Sequence, residues 1–511
     1  MSGFSLPTLS RALLDSLRGR GHANVDLPPT AILDAPETIL QIGSGGFLRG
    51  FVEDFLQLAN AAGNLSCRLV SVQRRPDWRP EAFARQDGLY TLILRGIENG
   101  RLTEVKRIVA SISRLLAAET EWDKVIAAVV RPSTRVIVSN VTEAGLALDS
   151  ADTATVKPPR SFPGKLTQLL WERWRAGTPG DIDLAVIPCE LIGDNGSVVR
   201  KLVVEQAHAW YLPPAFAAWV GTSIHFANTL VDRTVVGPPA PERLETEWRA
   251  LGYRDDLVVC AEPFVFFALE ADEFVQKHFP IDGVLPGIQF VGDLKPYHMR
   301  KLRILNGPHT VLAAIGRLLG LNTVREAVAD PQLGSLIESV IFEEVIPAMG
   351  LEREPQTVQY AHEILTRFRN PSIEHRLVSI CLNCSTKVGI RVFPSIRDYT
   401  AHRGVLPRRL LFGLAAVMLV LRHPDIQDTH TEKVLDAWEL VDCHSPDSVL
   451  AFVQDVLTKQ MEWSHEEIDL RTVAPCVAGF LAEIEKRGLR PVMDSHFGRS
   501  VVPRSDRILC E

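Results

Sequence analysis

The chain reads as α/β, with an N-terminal domain built on a parallel sheet followed by a mostly α-helical domain. Three observations predict this. Short apolar, β-branched runs alternate with helix-forming stretches through residues 1–294, a glycine cluster at 43–46 stands directly between a strand run and a helical period, and from about 295 long helical periods replace the strand runs.

The first strand run is ETILQI, where Ile39, Leu40 and Ile42 lead to Gly43. Phe47, Leu48, Phe51, Val52, Phe55, Leu56 and Ala59 then recur at helical spacing, which predicts one amphipathic helix over about 46–62. CRLVSV, ending at Val72, and RVIVSN, ending at Asn140, predict further strands with crossover helices between them. LAVIPCE (184–190) and GIQFVGDL (287–294) extend the same sheet. A domain boundary near 294 gives two parts, 1–294 and 295–511. In the second part the apolar run 410–421, bracketed by Arg409 and Arg422, falls well short of the roughly 20 residues a membrane span requires. It predicts a buried helix.

At 511 residues the chain exceeds one ordinary core. With 62 acidic against 55 basic side chains the net charge is -7, so no polyanion such as nucleic acid is expected as a partner. The N-terminal stretch lacks the unbroken apolar core of a secretory signal, and the expectation is a soluble, cytoplasmic protein that meets neither membrane nor nucleic acid. Cys381 and Cys384 form a C-x-x-C with no second pair and no histidine at finger spacing, so buried thiols are expected there and no metal.

Gly43, Gly45 and Gly46 lie where a strand turns into a helix, the place where a dinucleotide pyrophosphate meets backbone N–H groups. Glycine suits the turn because a Cβ would block close approach. A strict G-x-G-x-x-G would have glycine at 48, where Leu48 stands. Just past the second strand, Gln73, Arg74 and Arg75 occupy the place where a carboxylate normally holds the ribose of NAD. NAD is the favoured cofactor, and the arginine pair keeps NADP open.

The segment DLKPYHMRKLRILNGPHT (293–310) puts Lys301, Asn306 and His309 on one expected helix. At about 100° per residue, Asn306 falls roughly 140° and His309 roughly 80° from Lys301, so the three share one arc. These residue types suit alcohol oxidation: the amine takes the hydroxyl proton, the carboxamide supports the oxygen where charge builds, and the imidazole orients the substrate. Pro308 cannot bond to the carbonyl of Ile304, which predicts a disturbance of the helix beside them.

With these motifs in hand, the chain resembles the polyol-specific long-chain dehydrogenases, the mannitol dehydrogenase family. GSGGFLRG is similar to the family's G-x-G-x-F-x-R through Gly43, Gly45, Phe47 and Arg49, and its K-x-x-x-x-N-x-x-H is matched in full by Lys301, Asn306 and His309. QDGLYT (86–91), SNVTEAG (139–145), FPGKLT (162–167), LVDR (230–233), RFRNP (367–371) and STK (385–387) extend the resemblance over about residues 38–420. It implies a Rossmann-type N-terminal domain, a helical C-terminal domain, metal-independent chemistry and Lys301 as general acid/base. It also implies a cofactor site formed by Ile42, Gly43, Ser44, Gly45, Gly46, Phe47, Leu48, Arg49 and Asn140.

Two departures stand out. Mannitol-type members carry a C-D-N triplet where this chain has Cys189, Glu190 and Leu191, and an arginine where it has Ser379. Together with PCELIGDNG (188–196) these changes resemble the branch of the family that acts on keto and hydroxy sugar acids. A carboxylated substrate needs cations, for which Lys387 is the first candidate and Arg376 and Lys295 follow, with Glu190 as a further substrate-side residue. Another keto-uronate or a neutral polyol as substrate, and a non-catalytic nicotinamide-binding scaffold, stay open at this point.

Overall fold

The computed structural model describes residues 6–20, 24–73, 80–98, 100–177, 182–460 and 469–498. The chain divides into two compact units, Met1–Pro296 and Tyr297–Glu511.

The first unit holds a six-stranded sheet in the order Ile112–Ala117, Arg68–Gln73, Glu37–Ile42, Val136–Ser139, Leu184–Pro188, Ile224–Phe226. Every neighbouring pair runs parallel. Successive residues of each strand feed opposite cores, as a two-residue period requires: Ile39, Leu69 and Val138 pack on one face, Leu40, Val70 and Ile137 on the other. The chain leaves Glu37–Ile42 toward one edge and returns to Val136–Ser139 on its other side. That reversal opens a crevice at the carboxyl ends of these two strands, where doubly wound sheets bind ligands.

Two small mixed sheets accompany it. One contains the hairpin Tyr90–Glu98 and Arg101–Val109, which the sequence reading did not pick out. The other orders Ile288–Val291, Phe266–Glu270 and Asn228–Asp232. The expectation that 287–294 extends the main sheet is therefore corrected: Ile288–Val291 is an edge strand paired with Phe266–Glu270. Of its four residues Ile288 alone is fully buried, which suits an edge and not the interior of a parallel sheet.

The helix expected over 46–62 is also corrected, into Gly46–Arg49 and Val52–Ala61. Gly50 sits against Val235, whose Cγ1 lies 2.9 Å from where a Cβ would be. Phe51 then leaves helical geometry (φ -131°, ψ -95°) and buries its ring against Phe47, Phe55 and Phe267. The apolar period was real, but two short helices share it.

The second unit is helical. The run 410–421 lies in the helix Arg408–Val420 and just past it, all of it buried, packed on Gly307–Leu318 and Leu470–Arg487. Gly413 permits the contact with Gly307–Leu318, because a Cβ there would come within 2.6 Å of Val311. No described helix is long and apolar enough to cross a membrane. Cys381 and Cys384 are buried free thiols, and burial pushes Cys381 up to about 12.

Candidate active site

In the first unit a cavity of about 790 Å3 opens at the carboxyl ends of Glu37–Ile42 and Val136–Ser139. Ile42, Gly43, Ser44, Gly45, Gln73 and Asn140 line one side of it. Gly43 has φ +121°, a conformation L side chains rarely adopt, and its N–H donates to the Val72 carbonyl at 2.9 Å. Gly45 has no atom within 4 Å of its missing Cβ, so its face is open for a ligand to approach the backbone. Both buried polar atoms of the Gln73 amide lack a hydrogen-bond partner, at a residue only 2% exposed. An open glycine face and an unpartnered amide on one wall fit a dinucleotide. Arg74 and Arg75 lie outside the described residues.

Behind the turn sits a buried network absent from the sequence reading. Gln41 Nε2 donates to the Gly43 carbonyl and to Glu53 Oε1, both at 2.8 Å, and Tyr90 Oη donates to Glu53 Oε2 at 2.7 Å. Burial raises the Glu53 carboxyl above its ordinary range, against the pull of those two donors. A glutamine inside the apolar run ETILQI was the available signal. Of the expected cofactor residues, Ile42, Gly43, Ser44, Gly45 and Asn140 line the cavity, whereas the side chains at 47–49 pack away from it behind the turn. Gly46 packs against Gly237, Phe47 stacks on Phe51 at 4.9 Å, and Leu48 is buried under Gly43. Arg49 turns inward, bonding the Leu257 carbonyl and lying over the Tyr90 ring. These residues hold the turn in place.

Asn140 lines the cavity, and its Nδ2 donates to the Cys189 carbonyl at 2.6 Å. Glu190 is buried behind this wall, its Oε1 accepting from the Val141 N–H at 3.1 Å while Oε2 has no hydrogen-bond partner. Burial pushes its carboxyl up to about 7. Its observed contact braces the backbone at Val141. Leu191 is 77% exposed and brings no polar group in place of the missing asparagine.

In the second unit, Lys301, Asn306 and His309 do follow one another on a continuous helix, but not an ideal one. Lys301–Asn306 is a π-helical turn, closed by the Gly307 N–H donating to Leu302, five residues back. An i→i+5 turn holds more residues than an α-turn, so residues 301 and 306 lie closer around the axis than the roughly 140° expected from 100° per residue. The five-residue spacing of the motif matches this wider turn. Pro308 opens the following α-helix, Gly307–Leu318, and its missing N–H accounts for the change of geometry. Arg303, also unremarked in the sequence, pins the turn: its Nε donates to Ser395 Oγ at 2.6 Å, and both terminal nitrogens reach Asp398 Oδ2 at 2.9 Å.

His309 stacks on Phe368 (4.8 Å between ring centres) and meets His375 edge-on at 4.9 Å. Its Nε2 is buried without a hydrogen-bond partner. Burial, followed by the charges of His375, Arg391, Arg367 and Lys387, holds its imidazolium well below the usual range, so the ring is neutral at neutral pH. Of the cations expected at the substrate, Lys387 belongs to this group; it is half-buried, its Nζ bonds the Ile380 carbonyl at 2.9 Å, and burial lowers its ammonium. Arg376 does not join it, being 68% exposed and paired with Glu374. Lys295 is likewise exposed on the first unit, with its backbone N–H bonded to Asp293. The sequence reading missed Arg391, although Lys387 and Arg391 stand four apart on the helix Cys384–Arg391, a spacing that puts them on one face. Among the described residues no three His, Cys, Asp or Glu side chains are grouped to hold a metal ion.

A parallel-sheet unit with a glycine-lined cavity, and a helical unit carrying lysine, asparagine and histidine along one continuous helix, are the parts of a nicotinamide-dependent dehydrogenase. The chain belongs to the mannitol dehydrogenase family: the family's Rossmann-domain model matches residues 37–283 and its C-terminal-domain model matches residues 293–464. It is a dehydrogenase of the class that acts on a CH–OH group of a polyol or sugar acid. Similar relatives include the altronate oxidoreductase of Bacillus subtilis (strain 168), 34% identical over 465 residues, covering 90% of this chain and 95% of that one. The altronate oxidoreductase of Yersinia enterocolitica serotype O:8 / biotype 1B is 35% identical over 473 residues, covering 90% and 97%. Among solved structures, the Pseudomonas fluorescens mannitol 2-dehydrogenase ternary complex with NAD and D-mannitol shares the fold with a TM-score of 0.75 at 23% identity, covering 96% of this chain and all of that one. Substrate-free D-sorbitol dehydrogenase gives 0.76 at 23% identity, covering 95% of this chain.

Proposed function

We propose that the chain is an NAD-dependent, metal-independent oxidoreductase that interconverts tagaturonate and altronate, with Lys301 as general acid/base. The observation that carries this reading is the π-helical turn Lys301–Asn306 leading into His309, which sets the three residues of the family motif along one continuous helix. The relatives named altronate oxidoreductase, each matched over nine-tenths of this chain, support the substrate.

Lys301 Nζ takes the hydroxyl proton during oxidation and returns it during reduction. The Asn306 amide donates to the substrate oxygen as negative charge builds on it. With no partner at Leu191, this amide carries that task without the second donor of mannitol-type members. Neutral His309 offers its unpartnered Nε2 to the substrate as a hydrogen-bonding group that orients it. A bound nicotinamide supplies the hydride acceptor for oxidation and the donor for reduction. Gly43 and Gly45 let the pyrophosphate approach the backbone, and the Gln73 amide, which both donates and accepts, suits a ribose diol. The Gln73 amide itself brings no cation to a 2′-phosphate; NAD is the first choice, and NADP, which Arg74 and Arg75 would suit, is the alternative. The enzyme is read as a soluble, cytoplasmic catalyst of small-molecule metabolism.

Fructuronate reductase and mannitol-type polyol dehydrogenase are the neighbouring activities, and a substrate panel separates them. Tagaturonate with NADH is expected to give the highest kcat/KM of a set that includes fructuronate and fructose. Turnover of fructose or mannitol with indifference to tagaturonate and altronate would overturn the assignment. Fluorescence titration with NADH and NADPH tests the cofactor, and equal or tighter NADPH binding would remove NAD from it.

A further inference from the structure

In the second unit two buried nitrogens near the π-turn end without a hydrogen-bond partner: Nε2 of His309 and Nε of Arg391. The two residues are tied through the backbone. Gly307, two residues before His309, has the Arg391 carbonyl only 2.7 Å from where its Cβ would be, so the end of Cys384–Arg391 presses directly on the start of Gly307–Leu318. Lys387 stands one turn back on the Arg391 helix. Phe368, stacked on His309, follows Arg367 at the end of Pro355–Phe368.

The charge balance is one-sided. The charges that bear most on His309 are those of His375, Arg391, Arg367 and Lys387, all basic. Burial is the influence resolved on Arg391, whose guanidinium it disfavours. Asp428 bears on Lys387, yet its own oxygens are already taken by the Ser385 backbone and hydroxyl and by the His430 N–H. The Nε–H of Arg391, buried and unbonded on a half-buried side chain, costs free energy unless an acceptor arrives to meet it.

We propose that Arg391 and His309 form the subsite that seats the carboxylate of a sugar-acid substrate. This rests on the reading of the reaction given above and adds to it the group that recognises the acid end. A carboxylate has two oxygens in one plane, which suits one guanidinium edge beside one imidazole; a phosphate dianion would call for more donors. Lys387 and Arg367 supply long-range attraction to the same anion, whereas Arg376 and Lys295 have no part in it.

The test crosses two changes: the substrate's charge and the arginine. Altronate and its neutral amide, altronamide, are compared on the wild type, Arg391→Gln and Arg391→Lys, each with NAD. The wild type is expected to favour altronate by roughly 100-fold in kcat/KM. In Arg391→Gln that preference should collapse to within a few fold, through a higher KM for altronate with altronamide little changed, and Arg391→Lys should recover part of it. Equal losses on both substrates, or an undiminished preference for altronate, would overturn the subsite. Should Arg391→Gln fail to fold, Arg391→Lys decides alone, since it keeps the charge but not the fork: a KM for altronate unchanged from the wild type rejects the proposal. If the wild type oxidises mannitol but not altronate, the reaction assigned above is wrong. Calorimetric binding of altronate to the NADH-loaded protein then judges the subsite separately. Tight binding that Arg391→Gln abolishes supports it, and absent or arginine-independent binding defeats it.

Discussion

The glycine turn of the first unit and the π-turn of the second build ligand sites in opposite ways. At Gly43 and Gly45 the missing side chains let the backbone itself face the ligand, and the polar groups that fix the turn, Gln41, Glu53 and Tyr90, are hidden behind it and bonded to one another. At 301–309 the backbone is kept within its helix and the coil is widened, which brings residues 301 and 306 closer around its axis. Gln73, His309 and Arg391 keep buried polar atoms unbonded, but so do Gln41 and Arg49 behind the turn and Glu190 behind the cavity wall, so an unbonded atom gains meaning only from its place beside the cavity or the motif.

The largest effect expected from that contrast concerns Lys301. Lys301→Ala should lower kcat by roughly 100- to 10,000-fold while leaving cofactor affinity in fluorescence titration nearly unchanged, because the group acts on a proton and not on the dinucleotide. Retained activity would break the division of labour between the two turns.

Glu190 tests the scaffold side. Its carboxyl stands at about 7 in the folded chain against an ordinary 4.5. A folded-state value above the unfolded one means that folding holds a proton in between. The contribution is therefore fully present below 4.5 and lost as pH rises through 7. Relative to the parent, Glu190→Gln should gain on the order of 3 kcal/mol in stability between acid and mildly alkaline solution. Denaturant melts across that range measure it, and parallel pH profiles for parent and variant would contradict it.

The glycines sharpen the comparison further. A Cβ at 45 meets no protein atom within 4 Å, so Gly45→Val should leave the melting temperature alone. NADH affinity should nevertheless fall roughly tenfold to a hundredfold, the equivalent of the 1–3 kcal/mol that extra atoms cost in filled space. Gly307→Ala should do the reverse at smaller scale: its Cβ would collide with the Arg391 carbonyl, at a cost of about 1–3 kcal/mol in stability, with NADH affinity intact. Reversed outcomes for the two variants would show that the turns have been assigned the wrong roles.

Much of the architecture was legible because parallel strands buried on both faces write themselves as apolar runs. Glu37–Ile42, Arg68–Gln73, Val136–Ser139 and Leu184–Pro188 all announced themselves in this way. The hairpin Tyr90–Val109 did not. Its second strand is largely polar and half-exposed, and it pairs in a sheet whose other members come from residues 235–261. The break at Gly50 was equally hidden, because the apolar period runs through it and the reason for it, Val235, lies far along the chain. For the site, the trio at 301, 306 and 309 was legible from residue type and spacing, but the π geometry was not, since hydrogen-bond register leaves no mark on composition. Arg391 could not be singled out at all: its interest lies in being buried with a nitrogen unbonded, which sequence does not record.

A π-turn is an α-helix that has absorbed a surplus residue, and such a surplus is removable in principle. Excising one position between Leu302 and Leu305 would let the i→i+4 ladder close without interruption while the flanking helices kept their seats. The lysine would then swing by about one residue's rotation relative to the histidine. The chain would keep its shape and lose its alignment of reacting groups, a one-codon lesion that ordinary substitution scanning would never sample.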